Sequence, residues 1–346
     1  NLSYTLEFSD DTNKEIYAYN EEDTDISIGV NSTAGKITSA SVKTGSGQYM
    51  NSKKKKSDPL EAEEIDGYGW TYTSILNETA GPATLKITGK PNDAFKKLTT
   101  YTKEENQNAV LGARYIQLSN DAGDQISDGK KPTDYGFFKM VVKSQTYKYQ
   151  PKELTNTNKV LVANPNQLTP ADLEGIKNAL KVEYSKTNTD ARLTSLKGTE
   201  VADTNTVVDR VTDSGSNLVV TYKDGSTDTI PKGTLIKSGN APTVNMPRPA
   251  SGGPLKTSIL STDNIITGTG TPGSKITIQV ESAENGKLLK EITDIPVDAS
   301  GNWTVTLEDG LNSNVPVGGN ARAQNFFAPK NPVKVFETKD GIESVS

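Results

Sequence analysis

The chain contains no cysteine and no histidine, and each absence closes a class of chemistry. Without thiols there is no disulfide framework, no thiolate metal site and no cysteine nucleophile. Without imidazole there is no Ser-His-Asp triad and no histidine metal ligand. Carboxylate pairs and Schiff-base lysines remain, so catalysis is disfavoured rather than formally excluded, and neither a catalytic residue, a metal nor a cofactor is expected. Long apolar runs are missing too: no stretch approaches the roughly 20 residues that span a bilayer, so no membrane contact is expected. No signal peptide opens the sequence, which starts inside a strand-like pattern and reads as a fragment of something larger. A basic excess is also absent, with 38 Lys and Arg against 43 Asp and Glu, which argues against a nucleic-acid partner.

What is present is polar and mixed in charge. Thr, Ser, Asn and Asp are abundant, the hydrophobic fraction is 33%, and the mean hydropathy is −0.58. Apolar residues still recur at regular spacing, which separates the chain from a disordered one. Proteins exported to a Gram-positive cell surface often avoid thiols altogether, whereas a cytosolic protein would usually keep a few, so the composition points to the surface. The 346 residues allow two or three domains of roughly 100–150 residues each.

Residues 1–150 read as a β-sandwich of the immunoglobulin type. Leu2, Tyr4, Leu6 and Phe8 alternate with polar residues, as do Ile26, Ile28 and Val30, the period of a half-buried strand. Further strands are predicted at Lys36–Lys43, Gly69–Ile75, Ala83–Thr88, Leu111–Leu118 and Gly136–Lys148. Long separations at 45–67 and 90–110 are of the kind that often carries function.

Residues 151–238 read as a small α+β domain. Thr169 is a good N-cap, Pro170 stands at N1, Asp172 suits the positive end of the helix dipole, and Leu168 and Leu173 have hydrophobic-staple spacing. Leu173, Ile176 and Leu180 then form one apolar stripe. Asn217–Tyr222 and Thr227–Pro231 flank Lys223-Asp224-Gly225-Ser226, whose Asp-Gly is a hairpin signal. Residues 239–254 are Pro/Gly-rich and read as a linker, and 255–346 as a second sandwich.

Three motifs have bland readings. Gly268-Thr-Gly-Thr-Pro-Gly273 matches a dinucleotide fingerprint but precedes a β-branched strand, so it is expected to be a turn. Lys53–Lys56, followed by Glu61, Glu63, Glu64 and Asp66, reads as a solvated charged segment. Ser119–Asp134 is rich in oxygen ligands but lacks the ordered spacing of a calcium loop, so a polar turn is favoured over a cation site. Close by is Arg114, the only arginine in the first 190 residues; its planar fork can bind a carboxylate bidentately, as lysine cannot.

The order of these segments resembles a Gram-positive cell-wall adhesin. The third segment carries the clearest likeness, through Ile266-Thr-Gly-Thr-Gly-Thr-Pro-Gly-Ser-Lys-Ile-Thr-Ile and Asp298-Ala-Ser-Gly-Asn-Trp-Thr-Val-Thr-Leu, which are similar to widely repeated immunoglobulin-like modules of such proteins. Segments one and two are similar to the Siglec-like plus unique domain pair of streptococcal serine-rich repeat adhesins. In that family an arginine in an aromatic-Thr-Arg-aromatic motif on strand F binds sialoglycans. The matching stretch is Gly112-Ala113-Arg114-Tyr115: the arginine and the following tyrosine are kept, while glycine and alanine replace the first aromatic and the threonine, removing one hydroxyl.

The resemblance implies a mainly β fold, secretion to a bacterial cell wall, and a monomeric fragment whose partners are host sialoglycans or glycoproteins of the O-glycan type. It implies that Arg114 pairs the sialic acid carboxylate and Tyr115 packs on the sugar. Neighbouring residues Tyr101, Lys103 and Asn106, with Asn120, Asp121, Asp124 and Tyr135, would select the glycan. Two alternatives stay open: capture of a host protein by strand addition or in a groove, and a passive stalk.

Overall fold

The alternation of Ile26, Ile28 and Val30 becomes a strand whose apolar side chains are almost completely buried, and a sandwich forms around it. The architecture is that of a computed structural model describing residues 1–44, 70–91, 109–126, 138–245, 265–306 and 331–346. The protein is mainly β. It divides into two compact units, one made of Asn1–Lys152, Lys181–Arg210 and Val220–Asp228, the other of Glu153–Leu180, Val211–Val219 and Thr229–Ser346.

In the first unit β1 (Leu2–Thr5), β2 (Glu15–Tyr19), β3 (Thr24–Ser32), β4 (Ile37–Thr44), β5 (Trp70–Tyr72), β6 (Gly81–Gly89), β7 (Ala109–Asn120), β8 (Gln125–Ile126) and β9 (Phe138–Lys143) make two sheets. One has the order β1-β3-β6-β5; the other has the order β2-β9-β7-β4, with β8 also pairing β7. Between them lies a single apolar core that includes Ile16, Ile28, Leu85, Ile87, Ile116, Leu118, Phe138 and Met140. Each such side chain contributes about 1.5–3 kcal/mol when fully buried, so truncating Leu85 or Ile116 to alanine removes about 2–5 kcal/mol.

Two elements depart from the sequence reading. Strand β2 lacks polar alternation because both its faces are covered: Ile16 and Ala18 enter the core, while Tyr17 and Tyr19 form a second cluster with Val141. The strand predicted over Gly136–Lys148 stops at Lys143, and a one-turn helix, α1 (Gln145–Lys148), follows. Long-range hydrogen bonds make that turn: Gln145 N donates to Asp224 Oδ2 at 2.8 Å and Thr146 N to Ser226 Oγ at 3.3 Å. Local propensity contains neither partner.

The chain continues through β10 (Tyr149–Lys152), β11 (Val160–Val162), helix α2 (Pro170–Ala179), β12 (Lys181–Tyr184), β13 (Val208–Ser214), β14 (Asn217–Tyr222), β15 (Thr227–Pro231) and β16 (Ile236–Ser238). Antiparallel pairing of β10 with β12 ties the segment from Lys181 into the first unit. The Asp-Gly turn forms as its sequence requires: Tyr222 N donates to Ser226 O at 2.8 Å, and Gly225 takes a φ of +84°.

In the second unit α2 is capped as predicted, and Thr169 and Asp172 form a reciprocal capping box. Ile176 and Leu180 are its buried stripe. The second sandwich uses β17 (Thr243–Asn245), β18 (Ile265–Thr269), β19 (Lys275–Glu281), β20 (Leu288–Pro296), β21 (Asn302–Thr306), β22 (Val333–Lys339) and β23 (Ile342–Glu343) in sheets β17-β18-β21 and β20-β19-β22-β23. Its core holds Ile276, Ile278, Val280 and Trp303. The glycine-rich motif spans the end of β18 and the turn to β19. Gly268, within β18, is required because a Cβ would lie 1.9 Å from Thr243 O and 2.4 Å from the Trp303 ring. No described helix is long and apolar enough to cross a membrane.

Candidate ligand-binding site

Strand β7 carries Arg114, and its pairings define the setting. On one side Arg114 faces Phe138, the first residue of β9, and on the other Thr44, the last residue of β4. Toward the start of β7, Ala109, Val110, Gly112 and Ala113 pair with β9; toward its end, Leu118 and Ser119 pair with Ile126 and Gln125 of β8. Arg114 therefore stands in the interior of a central strand, paired across both of its edges. Pairing with β4 runs without a shift from Ser39–Ser119 to Thr44–Arg114, while the β9 pairing has a bulge between Val110 and Gly112.

Tyr115 is only 7% exposed. Little of this ring is therefore open to the outside. Asn120, Asp121 and Asp124 lie at the β7–β8 turn, where their side chains bond within the chain. Asn120 Nδ2 donates to Ser32 Oγ at 3.1 Å, Ala34 O at 2.8 Å and Asp124 Oδ2 at 3.1 Å, while Asn120 Oδ1 accepts Asp124 N at 2.8 Å. Asp121 Oδ1 accepts Lys36 N at 2.9 Å. These bonds clamp the β7–β8 turn to the β3–β4 connection. At about 3.3 Å per residue, Asn120 also lies about 20 Å along the strand from Arg114. Tyr101, Lys103, Asn106 and Tyr135, like Lys53–Lys56, lie outside the described residues.

Sequence reasoning missed a polar cluster on the tyrosine face of β2 and β9. Lys148 Nζ donates to Glu22 Oε2 at 2.6 Å, Tyr149 OH to Glu22 Oε1 at 2.7 Å, and the same ammonium lies 4.9 Å from the centre of the Tyr19 ring and 5.3 Å from that of Tyr149. Lys143 Nζ sits 4.6 Å and 4.4 Å from the ring centres of Tyr17 and Tyr147. Completely buried Asp190 accepts the Tyr19 hydroxyl at 3.0 Å and pairs with Arg192 at 3.3 Å, and Arg192 Nη2 also donates to the Tyr17 carbonyl. Burial, followed by the nearby carboxylate, pushes the Tyr19 and Tyr149 phenols well above the ordinary 10.0. Every group in this cluster has a partner in the chain, so it fastens the 181–210 segment to the sandwich. The alternation Tyr17-Ala18-Tyr19 was its one sequence signal.

Among the described residues no group of three or more carboxylates is placed to hold a metal ion.

No family model and no curated protein matches the chain. Solved structures similar to it include streptococcal adhesin regions. The SrpA adhesin of Streptococcus sanguinis is 18% identical, with 68% of this chain and 94% of that one covered at a TM-score of 0.41. The sialic acid binding region of the Streptococcus sanguinis SK1 adhesin, solved bound to 3'sLn, is 15% identical, with 99% and 75% covered at a TM-score of 0.43. A structure described as the GspB Siglec domain is 17% identical, with 68% and 96% covered at a TM-score of 0.29.

Proposed function

We propose that the chain is the ligand-binding part of a bacterial cell-wall adhesin, in which the sandwich of residues 1–150 holds a sialylated host glycan and Arg114 pairs the sugar carboxylate. In this reading residues 151–238 are a small α+β domain, 239–254 a connection whose Thr243–Asn245 joins the last sandwich as β17, and 255–346 a presenting module. The observation that carries it is the place of Arg114: the first unit's lone arginine before residue 190 stands on a central strand of the sandwich, paired with Thr44 of β4 on one edge and Phe138 of β9 on the other. A planar guanidinium suits a carboxylate because two parallel N–H groups meet two oxygens. Recognition replaces catalysis here, with neither cofactor nor metal.

Sites of this kind bind weakly, with a Kd on the order of micromolar to millimolar, and gain strength from many copies on a cell. A glycan array tests the reading. Binding to sialosides that disappears in Arg114→Ala supports it; a blank array with retained binding to a host glycoprotein stripped of sialic acid overturns it in favour of protein capture.

A further inference from the structure

The second unit contains a groove of about 260 Å³ that the proposed function does not use. Its walls come from the connection after β11 (Asn164, Asn166), the end of β16 (Asn240), and the β22–β23 turn (Lys339, Asp340). Glu337 and Thr271 lie deeper, beside the apolar surfaces of Ala163, Pro165 and Ile342.

Rigid contacts hold these walls. Lys232, 3% exposed, donates from Nζ to Pro165 O at 2.7 Å and pairs with Asp213 at 3.0 Å, which pins the asparagine-bearing segment. Val345 N donates to Ser238 O at 3.0 Å, fastening β16 to the chain beyond β23. Gly233 passes so close to the turn that a Cβ there would lie 2.0 Å from Gly341 O. A groove formed this way exists before any ligand arrives, which lowers the entropy lost on binding.

The chemistry of the lining selects the ligand. The side chains of Asn166 and Asn240 make no hydrogen bond among the described residues, nor does the Asn164 Nδ2 group, so amides that both donate and accept face the opening. At the base, the Glu337 carboxylate accepts Thr271 N at 2.7 Å, Thr271 Oγ1 at 2.5 Å and Ser274 Oγ at 2.9 Å. Its Oε1 takes only one of these and keeps an acceptor position. Glu337 is 4% exposed and has no ion pair among the described residues, so its negative charge is poorly screened. Exposed Lys339 and Asp340 offset each other. An anion entering the groove would meet net negative charge, whereas hydroxyl groups, each donor and acceptor, match the amides and the carboxylate, and C–H surfaces match Ala163 and Ile342.

We propose that this groove binds a neutral sugar. The test is a titration of the whole chain, followed by amide NMR signals, with lactose, mannotriose and maltotriose, and with sialyllactose as the anionic counterpart. At least one neutral sugar should shift the signals of Ala163–Asn166, Asn240 and Lys339–Ile342 with a Kd in the millimolar range. Asn166→Ala combined with Asn240→Ala, both exposed positions, should weaken that binding at least tenfold while leaving the rest of the spectrum in place. Unmoved groove signals at tens of millimolar of every neutral sugar would overturn the proposal. So would shifts that survive the double substitution, or sialyllactose moving these signals at lower concentration than lactose.

Discussion

Two stretches of β7, around Arg114 and around Asn120, differ in what the fold does with their polar groups. Around Asn120 the chain is dense with Asn and Asp, yet their polar atoms are consumed by a turn that ties β7–β8 to the β3–β4 connection. Around Arg114 the sequence is less polar, and the strand is paired on both edges, with Thr44 of β4 and Phe138 of β9. A run of hydrogen-bonding side chains therefore says little about recognition until their partners are known. Groups satisfied within the chain stabilise it; a ligand needs groups the fold leaves unspent.

Substitutions can break this contrast. Of the changes in this turn and at Arg114, the largest effect on stability is expected from Asn120→Ala, which removes the bonds to Ser32 Oγ and the Ala34 carbonyl and leaves Asp124 N without its side-chain acceptor; urea unfolding should show a loss of about 1–3 kcal/mol, with sialoside affinity unchanged. Arg114→Lys should do the reverse, lowering sialoside affinity about tenfold, or about 1.4 kcal/mol, with little change in the unfolding midpoint. Asp121→Ala should be the mildest, removing one bond to Lys36 N, about 0.5–1 kcal/mol in the same unfolding assay.

The tyrosine face of the same sheet offers a pH test. Burial and carboxylate neighbours raise the Tyr19 and Tyr149 phenols above 10.0, so the folded form resists losing those protons. Their contribution to stability is complete below the unfolded value and is lost as pH rises beyond it. Absorbance at the tyrosinate band should lag in the native protein as pH climbs past about 10, then rise together with unfolding. A smooth native-state titration of every tyrosine near 10 would contradict the buried clasp.

Much of the fold was legible because its signals are local. The capping residues Thr169 and Asp172, the period-2 pattern of Ile26–Val30 and the Asp224-Gly225 turn each specify their element over a few residues. What escaped depends on distant partners. Strand β2 has tyrosines on one face and core residues on the other, so its burial erases the alternation. Helix α1 is held by Asp224, 79 residues from Gln145. The candidate site was legible only as residue types: Arg114 was singled out by rarity, whereas the burial of Tyr115 and the clamping role of Asn120 follow from pairings between strands remote in sequence.

The central claim rests on one rung of one strand, and amide NMR can watch it directly. As sialyllactose is added to the intact chain, the signals of Arg114 and of its register partners Thr44 and Phe138 should shift and saturate. The Thr44 and Phe138 shifts should vanish in Arg114→Ala, and lactose should not reproduce them. Signals that stay still, that move equally with lactose, or that move unchanged in Arg114→Ala would contradict carboxylate recognition at Arg114.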